Sequence, residues 1–239
     1  MLKIENLTKK YGEKIAVKDL SLEIGSGEIC AFIGHNGAGK TTTLKACIGI
    51  LSFEEGNIYI DGRSIKEDAM WVKSRVSYLP DNPDLYDFLS GIKYLNFIAD
   101  VFGVGTEERN TKIKSLAEAF GLTESLANTI SSYSHGMKQK LALIAAFVHS
   151  PKLILMDEPF VGLDPRAAHT LKEMMREHCA RGGSIFFSTH VLDVAEKLCD
   201  RVAIIKDGEL VVSGKMEEVR GNASLEDVFL ELLEETEDD

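Results

Sequence analysis

A run of residues near the N-terminus has the types and spacing of a phosphate-binding loop. The run fits G-x-x-x-x-G-K-[ST] and reads Gly34-His35-Asn36-Gly37-Ala38-Gly39-Lys40-Thr41. Glycines in such a loop let backbone N–H groups point at phosphate oxygens, and the N-terminus of a following helix adds partial positive charge. We predict that this loop, continued by Thr42, binds ATP, that Lys40 reaches the β- and γ-phosphates, and that the Thr41 hydroxyl ligates Mg²⁺.

The flanks of this loop favour the same interpretation. A short apolar run, Glu28 to Ile33, precedes it, and a segment of helical character, Thr41 to Ile48, follows. Such a strand, loop and helix are the context in which the motif binds phosphate. A glycine-rich turn with an unrelated lysine is the alternative, and it explains neither flank.

Two adjacent carboxylates follow a second apolar run. Leu153 to Met156 predicts a buried strand, and Asp157-Glu158-Pro159 comes directly after it. Adjacent side chains at a strand end point in different directions. We therefore assign Asp157 to the metal shell and Glu158 to polarising the attacking water, in phosphoryl transfer to water. A cap for the next segment is the alternative function for these acids.

Two further segments give these motifs a family resemblance. Gly162-Leu163-Asp164-Pro165 follows the acidic pair, and Ser188-Thr189-His190 ends the next predicted strand. Together they resemble the ATPase domain of the ABC transporter family. The resemblance implies that Asp164 lies in a loop at the dimer interface, that His190 contacts the γ-phosphate, and that Tyr11 stacks on adenine. The position of His190 at the carboxyl end of a strand, where open α/β sheets bind ligands, supports this role.

Two motifs depart from the usual family pattern. Where the family has Leu-Ser-Gly-Gly-Gln, this chain has Tyr133-Ser134-His135-Gly136-Met137. The resemblance implies that Ser134 and Gly136 contact the γ-phosphate of ATP bound by a partner ATPase, and a capped helix start suits an anion. Asp81 stands where the family usually has glutamine, and its carboxylate is a candidate ligand for Mg²⁺.

The elements that position these residues predict an α/β fold. Strands at Leu2–Ile4 and Ile15–Ile24 and an Asp61-Gly62 hairpin turn predict an N-terminal antiparallel β-subdomain. Helical spacing without a strand from Phe88 to His149 predicts an inserted helical lobe, and Ser184–Phe187 and Val202–Ile205 predict further strands of a P-loop NTPase core.

We expect one ABC ATPase domain over residues 1–239. Residues 1–87 and 150–216 form its catalytic α/β lobe, and residues 88–149 form the helical lobe with the signature-like loop. Residues 217–239 form an amphipathic helix and an acidic tail. The helix is predicted by an apolar stripe of Leu225, Val228, Phe229, Leu232 and Leu233.

Composition excludes several classes of protein. The chain has 27 Lys and Arg against 38 Asp and Glu, a net charge of -11, which disfavours binding to nucleic acid. Cys30, Cys47, Cys179 and Cys199 show no metal-ligand spacing, so we expect buried, reduced thiols and a cytosolic location. We expect neither a signal peptide at the start nor a membrane-spanning segment, because no apolar run is long enough to cross a bilayer.

The functional expectation is an ATPase subunit that powers a separate membrane-spanning transporter subunit. The resemblance implies ATP-driven pairing with a second ATPase subunit, as a homodimer or a paired heterodimer, on the inner face of the cell membrane. Some bacterial ABC exporters are similar around Asp81 and Leu225–Phe229, which favours export. The alternatives are a soluble ABC-type regulator acting on ribosomes or DNA, and a non-hydrolysing nucleotide switch.

Overall fold

The computed structural model describes residues 1–234, with side chains through residue 232. The strands are β1 (Leu2–Tyr11), β2 (Lys14–Ile24), β3 (Ile29–Ile33), β4 (Glu55–Ile60), β5 (Arg63–Ser64), β6 (Val76–Leu79), β7 (Leu153–Asp157), β8 (Ser184–Thr189), β9 (Arg201–Lys206) and β10 (Glu209–Lys215). The helices are α1 (Lys40–Cys47), α2 (Ala69–Lys73), α3 (Gly91–Val101), α4 (Thr106–Phe120), α5 (His135–Val148), α6 (Pro165–Ala180), α7 (Leu192–Leu198), α8 (Met216–Arg220) and α9 (Leu225–Glu234).

A six-stranded sheet forms the centre of the molecule. Its strand order is β10-β9-β3-β8-β7-β6, and the pairs from β9 to β6 are parallel, whereas β10 pairs antiparallel with β9. The carboxyl ends of parallel strands meet at one edge of a sheet. The segments that follow β3, β6, β7 and β8 therefore lie side by side, and these segments carry the motifs.

A smaller antiparallel sheet, in the order β2-β1-β4-β5, lies beside the first. The Asp61-Gly62 turn joins β4 to β5 with both residues at positive φ, as the hairpin prediction requires. The α/β class with an N-terminal antiparallel sheet and a helical insertion is confirmed.

Alternate side chains of β3 pack into two different apolar clusters, one on each face of the central sheet. All five residues of β3 are buried. Ile29, Ala31 and Ile33 join one apolar cluster, shared with α4, α5 and α6, whereas Cys30 and Phe32 join a second one, shared with α1 and the antiparallel sheet. Because successive side chains of a strand point to opposite faces, a continuous apolar run is needed where both faces are covered.

The region between β6 and β7 is helical, with α3, α4, two 3₁₀ turns and α5 in that order. The prediction of helices without an intervening strand is therefore confirmed, apart from an isolated bridge between Ser90 and Thr129. Strand β6, which was not predicted from the sequence, extends the central sheet and leads directly to Asp81. The four residues of β6 are too few to show periodicity.

The C-terminal helix α9 packs on its own domain. Leu225 is fully buried, and Phe229 and Leu232 contact the same apolar cluster. The side chain of Leu233 and residues 235–239 of the predicted acidic tail lie outside the described residues. Within residues 1–234, no helix combines the length and the apolar character that crossing a bilayer requires.

Candidate active site

A cleft of about 310 Å³ lies at the carboxyl edge of the central sheet. Its lining includes predicted site residues from four separate segments: Tyr11, Asn36, Gly37, Gly39, Lys40, Thr41, Thr42, Asp81, Asp157 and Glu158. Lys14 and Ala16 complete the wall. The tertiary fold thus brings the phosphate loop, the acidic pair and the segment after β6 together.

Two glycines of the phosphate loop, Gly34 and Gly39, are required by close backbone approach. A Cβ on Gly34 would lie 2.4 Å from the Ile205 carbonyl oxygen, and one on Gly39 would lie 2.6 Å from the Ala16 carbonyl oxygen. Gly39 also has a φ of 110°, which side chains disfavour. The loop is therefore wedged between β9 and β2, where larger residues do not fit.

The start of α1 offers free donors to the cleft. Gly39 is its N-cap, and no side chain caps it, so the N–H groups of the first turn remain available to an anion. Lys40 is buried, and its Nζ donates to the Gly34 carbonyl at 2.6 Å and the His35 carbonyl at 3.2 Å. Burial lowers the pKa of Lys40, and the carboxylates of Glu158 and Asp157 oppose that shift.

Asp157 is anchored between two hydroxyl groups. The Thr41 hydroxyl donates to Oδ2 of Asp157 at 2.6 Å, and the Ser188 hydroxyl donates to Oδ1. Asp157 is buried, so both bonds compensate for lost hydration of the carboxylate. The Thr41 and Asp157 oxygens predicted to ligate a metal are therefore neighbours.

Glu158 is held in an unusual backbone conformation. Its φ is 48°, in the left-handed region, and its N–H donates to the hydroxyl of Ser188 at 3.0 Å. The Glu158 Oε2 atom lies 3.0 Å from Nδ1 of His190. The Glu158 side chain is largely buried, whereas that of His190 is 61% exposed. The two predicted catalytic residues thus contact each other at the cleft.

Two predicted ligand contacts lie at the rim of the cleft. Tyr11 is half exposed and lines the cleft, with Nζ of Lys9 5.3 Å from its ring centroid. Asp81 also lines the cleft, just beyond the end of β6. Burial raises the pKa of the neighbouring Tyr78, and the charges of Asp157 and Asp81 raise it further.

Several predicted residues lie away from the cleft wall. Ser134 caps α5 through the Met137 N–H at 3.3 Å, and Gly136 lies in the same helix turn. Asp164 caps α6 and forms an ion pair with Lys140 at 2.6 Å. Gly34, His35 and Ala38 support the loop from behind: Ala38 accepts a bond from the N–H of Gly208, and Nε2 of His35 lies 3.3 Å from Asp207.

The cleft supplies oxygen ligands but no complete metal cage. Thr41, Asp157 and Asp81 contribute hydroxyl and carboxylate oxygens. Among the described residues, no cluster of three or more His, Cys, Asp or Glu side chains could hold a metal ion. Mg²⁺ commonly takes one or two carboxylates together with substrate phosphates and water, so these residues fit Mg²⁺ bound with a nucleotide.

Ser188 and Lys14 belong to the site but were not predicted as site residues from the sequence. Ser188 bonds both acidic residues, and its place at the end of a predicted strand beside His190 was a usable signal. Lys14 carries no motif, and only the pairing of β1 with β2 brings it to the cleft. The four cysteines are free and buried, as predicted.

The fold and the cleft define a P-loop nucleotide-binding protein, and comparison with known proteins makes the class specific. The family profile described as ABC transporter matches residues 17–161. The ABC-type transporter ATP-binding protein EcsA of Bacillus subtilis is 35% identical over 240 residues, 98% of this chain and 97% of EcsA. The linearmycin resistance ATP-binding protein LnrL of Bacillus subtilis is 34% identical over 214 residues, 90% of this chain and 69% of LnrL.

A solved structure of an ATP-binding subunit of an ABC transporter superposes with a TM-score of 0.94 at 34% identity, covering 98% of this chain and 99% of that one. This chain therefore belongs to the ATP-binding subunits of ABC transporters. It is an ABC ATPase, as the sequence analysis predicted, and it binds ATP.

Proposed function

We propose that this chain powers a separate membrane-embedded exporter by pairing with a second ATPase subunit around ATP. The observation that carries the proposal is an apolar groove beside the ATP cleft, joined to it by residues 78–81. The groove has a volume of about 360 Å³, larger than the cleft, and its walls come from β6 and from helices α3 and α5. A partner seated there would contact the chain that carries Asp81.

The cleft residues have separate roles in ATP hydrolysis. Lys40 and the N–H groups of α1 bind and orient the phosphates, while Tyr11 stacks on adenine. Glu158 polarises the attacking water, and His190 holds the Glu158 carboxylate in place at 3.0 Å and contacts the γ-phosphate. Thr41, Asp157 and Asp81 would hold Mg²⁺, which supplies neutralisation of phosphate charge when bound.

The second ATPase subunit would use the exposed start of α5. Ser134 is exposed, and Gly136 leaves the backbone accessible. A helix start attracts anions through its partial positive charge. In a head-to-tail pair, this start would meet the γ-phosphate held by the partner subunit, and the loop with Asp164 would lie between the two sites. Closure on binding ATP and release after hydrolysis would then drive the transporter.

The membrane subunit would dock on the groove and its aromatic rim. Tyr86 and Phe88 are exposed next to the groove, and Tyr86 packs edge-on against Phe97 of α3, at a centroid distance of 5.7 Å. Exposed aromatic clusters of this kind are typical of protein interfaces. The burial of Tyr78 between the groove and Asp157 offers a contiguous path from partner to ATP site.

The proposal also assigns the direction of transport, which is export. It is supported by the resemblance of Asp81 and Leu225–Phe229 to some bacterial exporters and by the similarity to LnrL, which is named for resistance to a compound. This assignment places the chain on the cytoplasmic face of the cell membrane.

The test is co-purification from gently solubilised cells. The tagged chain should bring down a membrane polypeptide, and Ile50→Glu, at an exposed position of the groove, should abolish that association. Val211→Glu, at an exposed position on β10, is the matched control and should retain it. ATP binding should be unchanged in both variants.

The proposal fails if the unmodified chain brings down no membrane polypeptide. Stimulation of its ATPase activity by ribosomes or DNA, with no membrane partner, would support a soluble regulator instead.

A further inference from the structure

The loop that follows the catalytic Glu158 is tied to the first two turns of α5. Nε2 of Gln139, a fully buried residue, donates to the Pro159 carbonyl at 3.4 Å. Lys140 forms an ion pair with Asp164 at 2.6 Å. These contacts bracket the loop Pro159–Asp164 at both of its ends.

Between these two ties, His135 contacts the loop directly. A Cβ on Gly162 would lie 2.8 Å from Cδ2 and 2.9 Å from Nε2 of the His135 ring. One on Gly136 would lie 3.0 Å from the Gly162 carbonyl oxygen. The imidazole therefore occupies the space that a side chain at Gly162 would need.

The loop begins directly after Glu158, so its conformation affects the position of this residue. The N–H of Val161 donates to the Glu158 carbonyl at 3.1 Å, so the loop turns tightly at Glu158. A non-glycine residue at positive φ persists only when its surroundings hold it there. Ser188 holds Glu158 from the strand side. The loop must hold it from the other side.

We propose that His135 is a positioning residue for ATP hydrolysis, which fixes the loop Pro159–Asp164 by packing on Gly162 and thereby keeps Glu158 aimed at the attacking water. The inference rests on the role proposed above for Glu158. A displacement of about 1 Å at a reacting group costs up to about 100-fold in rate, so a loosened loop has a measurable effect.

The test compares His135→Ala with His169→Ala, which removes an exposed histidine from α6. In His135→Ala, kcat should fall about tenfold with the KM for ATP unchanged, because the phosphate contacts remain. Amide hydrogen exchange should accelerate in a peptide spanning residues 159–164. His135→Gln, whose amide reaches the position of Nε2, should recover most of both properties. His169→Ala should match the unmodified chain.

Full kcat in His135→Ala would overturn the proposal. So would a reduced kcat with unchanged exchange in the loop, since His135 would then act elsewhere. The exchange measurement needs neither turnover nor a membrane partner. Failure of the transporter assignment therefore leaves a distinct signature: no co-purified membrane polypeptide, with loop exchange still accelerated by His135→Ala.

Discussion

Helices α1 and α5 each begin with N–H groups that can bind an anion, but the surroundings of the two helix starts differ. The start of α1 has glycine as its N-cap with no side-chain cap, and the carboxylates of Asp157 and Glu158 stand beside it in the cleft. The start of α5 is already capped by Ser134 and is exposed. The first is therefore equipped to bind a nucleotide within one chain. The second is proposed to contact a nucleotide held by a partner ATPase subunit.

This difference predicts that substitutions near the two helix starts have different effects. Substitutions around α1 should change binding or chemistry in a single chain. Substitution of the capping residue Ser134 at the start of α5 should leave single-chain binding intact and change pairing, whereas His135 acts through the loop Pro159–Asp164. A Ser134 variant that also lost ATP binding by a single chain would contradict this difference.

The largest effect is expected from Glu158→Gln. The amide keeps the size of the side chain but polarises water poorly, so turnover should fall about 1000-fold, equivalent to about 4 kcal/mol. ATP affinity should stay within about twofold because the phosphate contacts remain, and ATP should trap the paired subunits. Phosphate release and light scattering measure the two properties. Glu67→Gln, at an exposed site, is the control. Unchanged turnover would remove Glu158 from its role.

Lys40→Ala should weaken ATP binding itself. Hydrogen bonds to charged groups contribute about 1.5–3 kcal/mol, so the dissociation constant should rise about 100-fold. Titration calorimetry with ATP measures this in one chain. Lys114→Ala, an exposed lysine on α4, should bind as the unmodified chain does. Equal affinities for the two variants would contradict the assignment of α1 as the binding end.

Acid should destabilise the opposite end of α5, where His149 stacks on Phe102 with ring centroids 3.6 Å apart. Burial lowers the pKa of His149 to about 4. The unfolded chain takes up this proton near pH 6.5 and the folded chain only near pH 4, so stability falls as pH drops through that window.

The loss attributable to His149 should be about 2 kcal/mol. Urea unfolding of the unmodified chain and of His149→Phe at pH 7.5 and 4.5 measures it, with His169→Phe as the control. The same pH dependence in His149→Phe would exclude this residue as the cause.

The smallest effect is expected from Ser134→Ala. The substitution removes the hydroxyl proposed to contact the γ-phosphate held by the partner subunit, and a hydrogen bond contributes about 1 kcal/mol net, so ATP-driven pairing should weaken about fivefold. ATP binding by one chain should not change, and Ser131→Ala, in the preceding 3₁₀ turn, should behave as the unmodified chain. Light scattering with Glu158→Gln as background measures the pairing. Weaker single-chain ATP binding in Ser134→Ala would break the contrast between the two helix starts.

The strands that carry the phosphate loop and the acid pair were predicted correctly from local sequence. The phosphate loop and the acid pair follow short apolar runs, and a run buried on both faces leaves few alternatives to a parallel strand. Contacts between distant segments were not accessible in this way. The hydroxyl of Ser188 on Asp157 and the ring of His135 on Gly162 join residues 31 and 27 positions apart, with no periodic signal between them.

Phosphate chemistry could be assigned from the sequence alone, because phosphate binding depends on glycine freedom, a lysine and a hydroxyl within eight consecutive residues. Which segments share a site depends instead on the tertiary fold. The parallel order of β3, β8, β7 and β6 brings Lys40, Asp157, Glu158 and Asp81 to one edge, and the packing of α5 on Pro159–Asp164 links its exposed start to Glu158. Strand order and helix packing depend on burial summed over the whole chain, which no short pattern encodes.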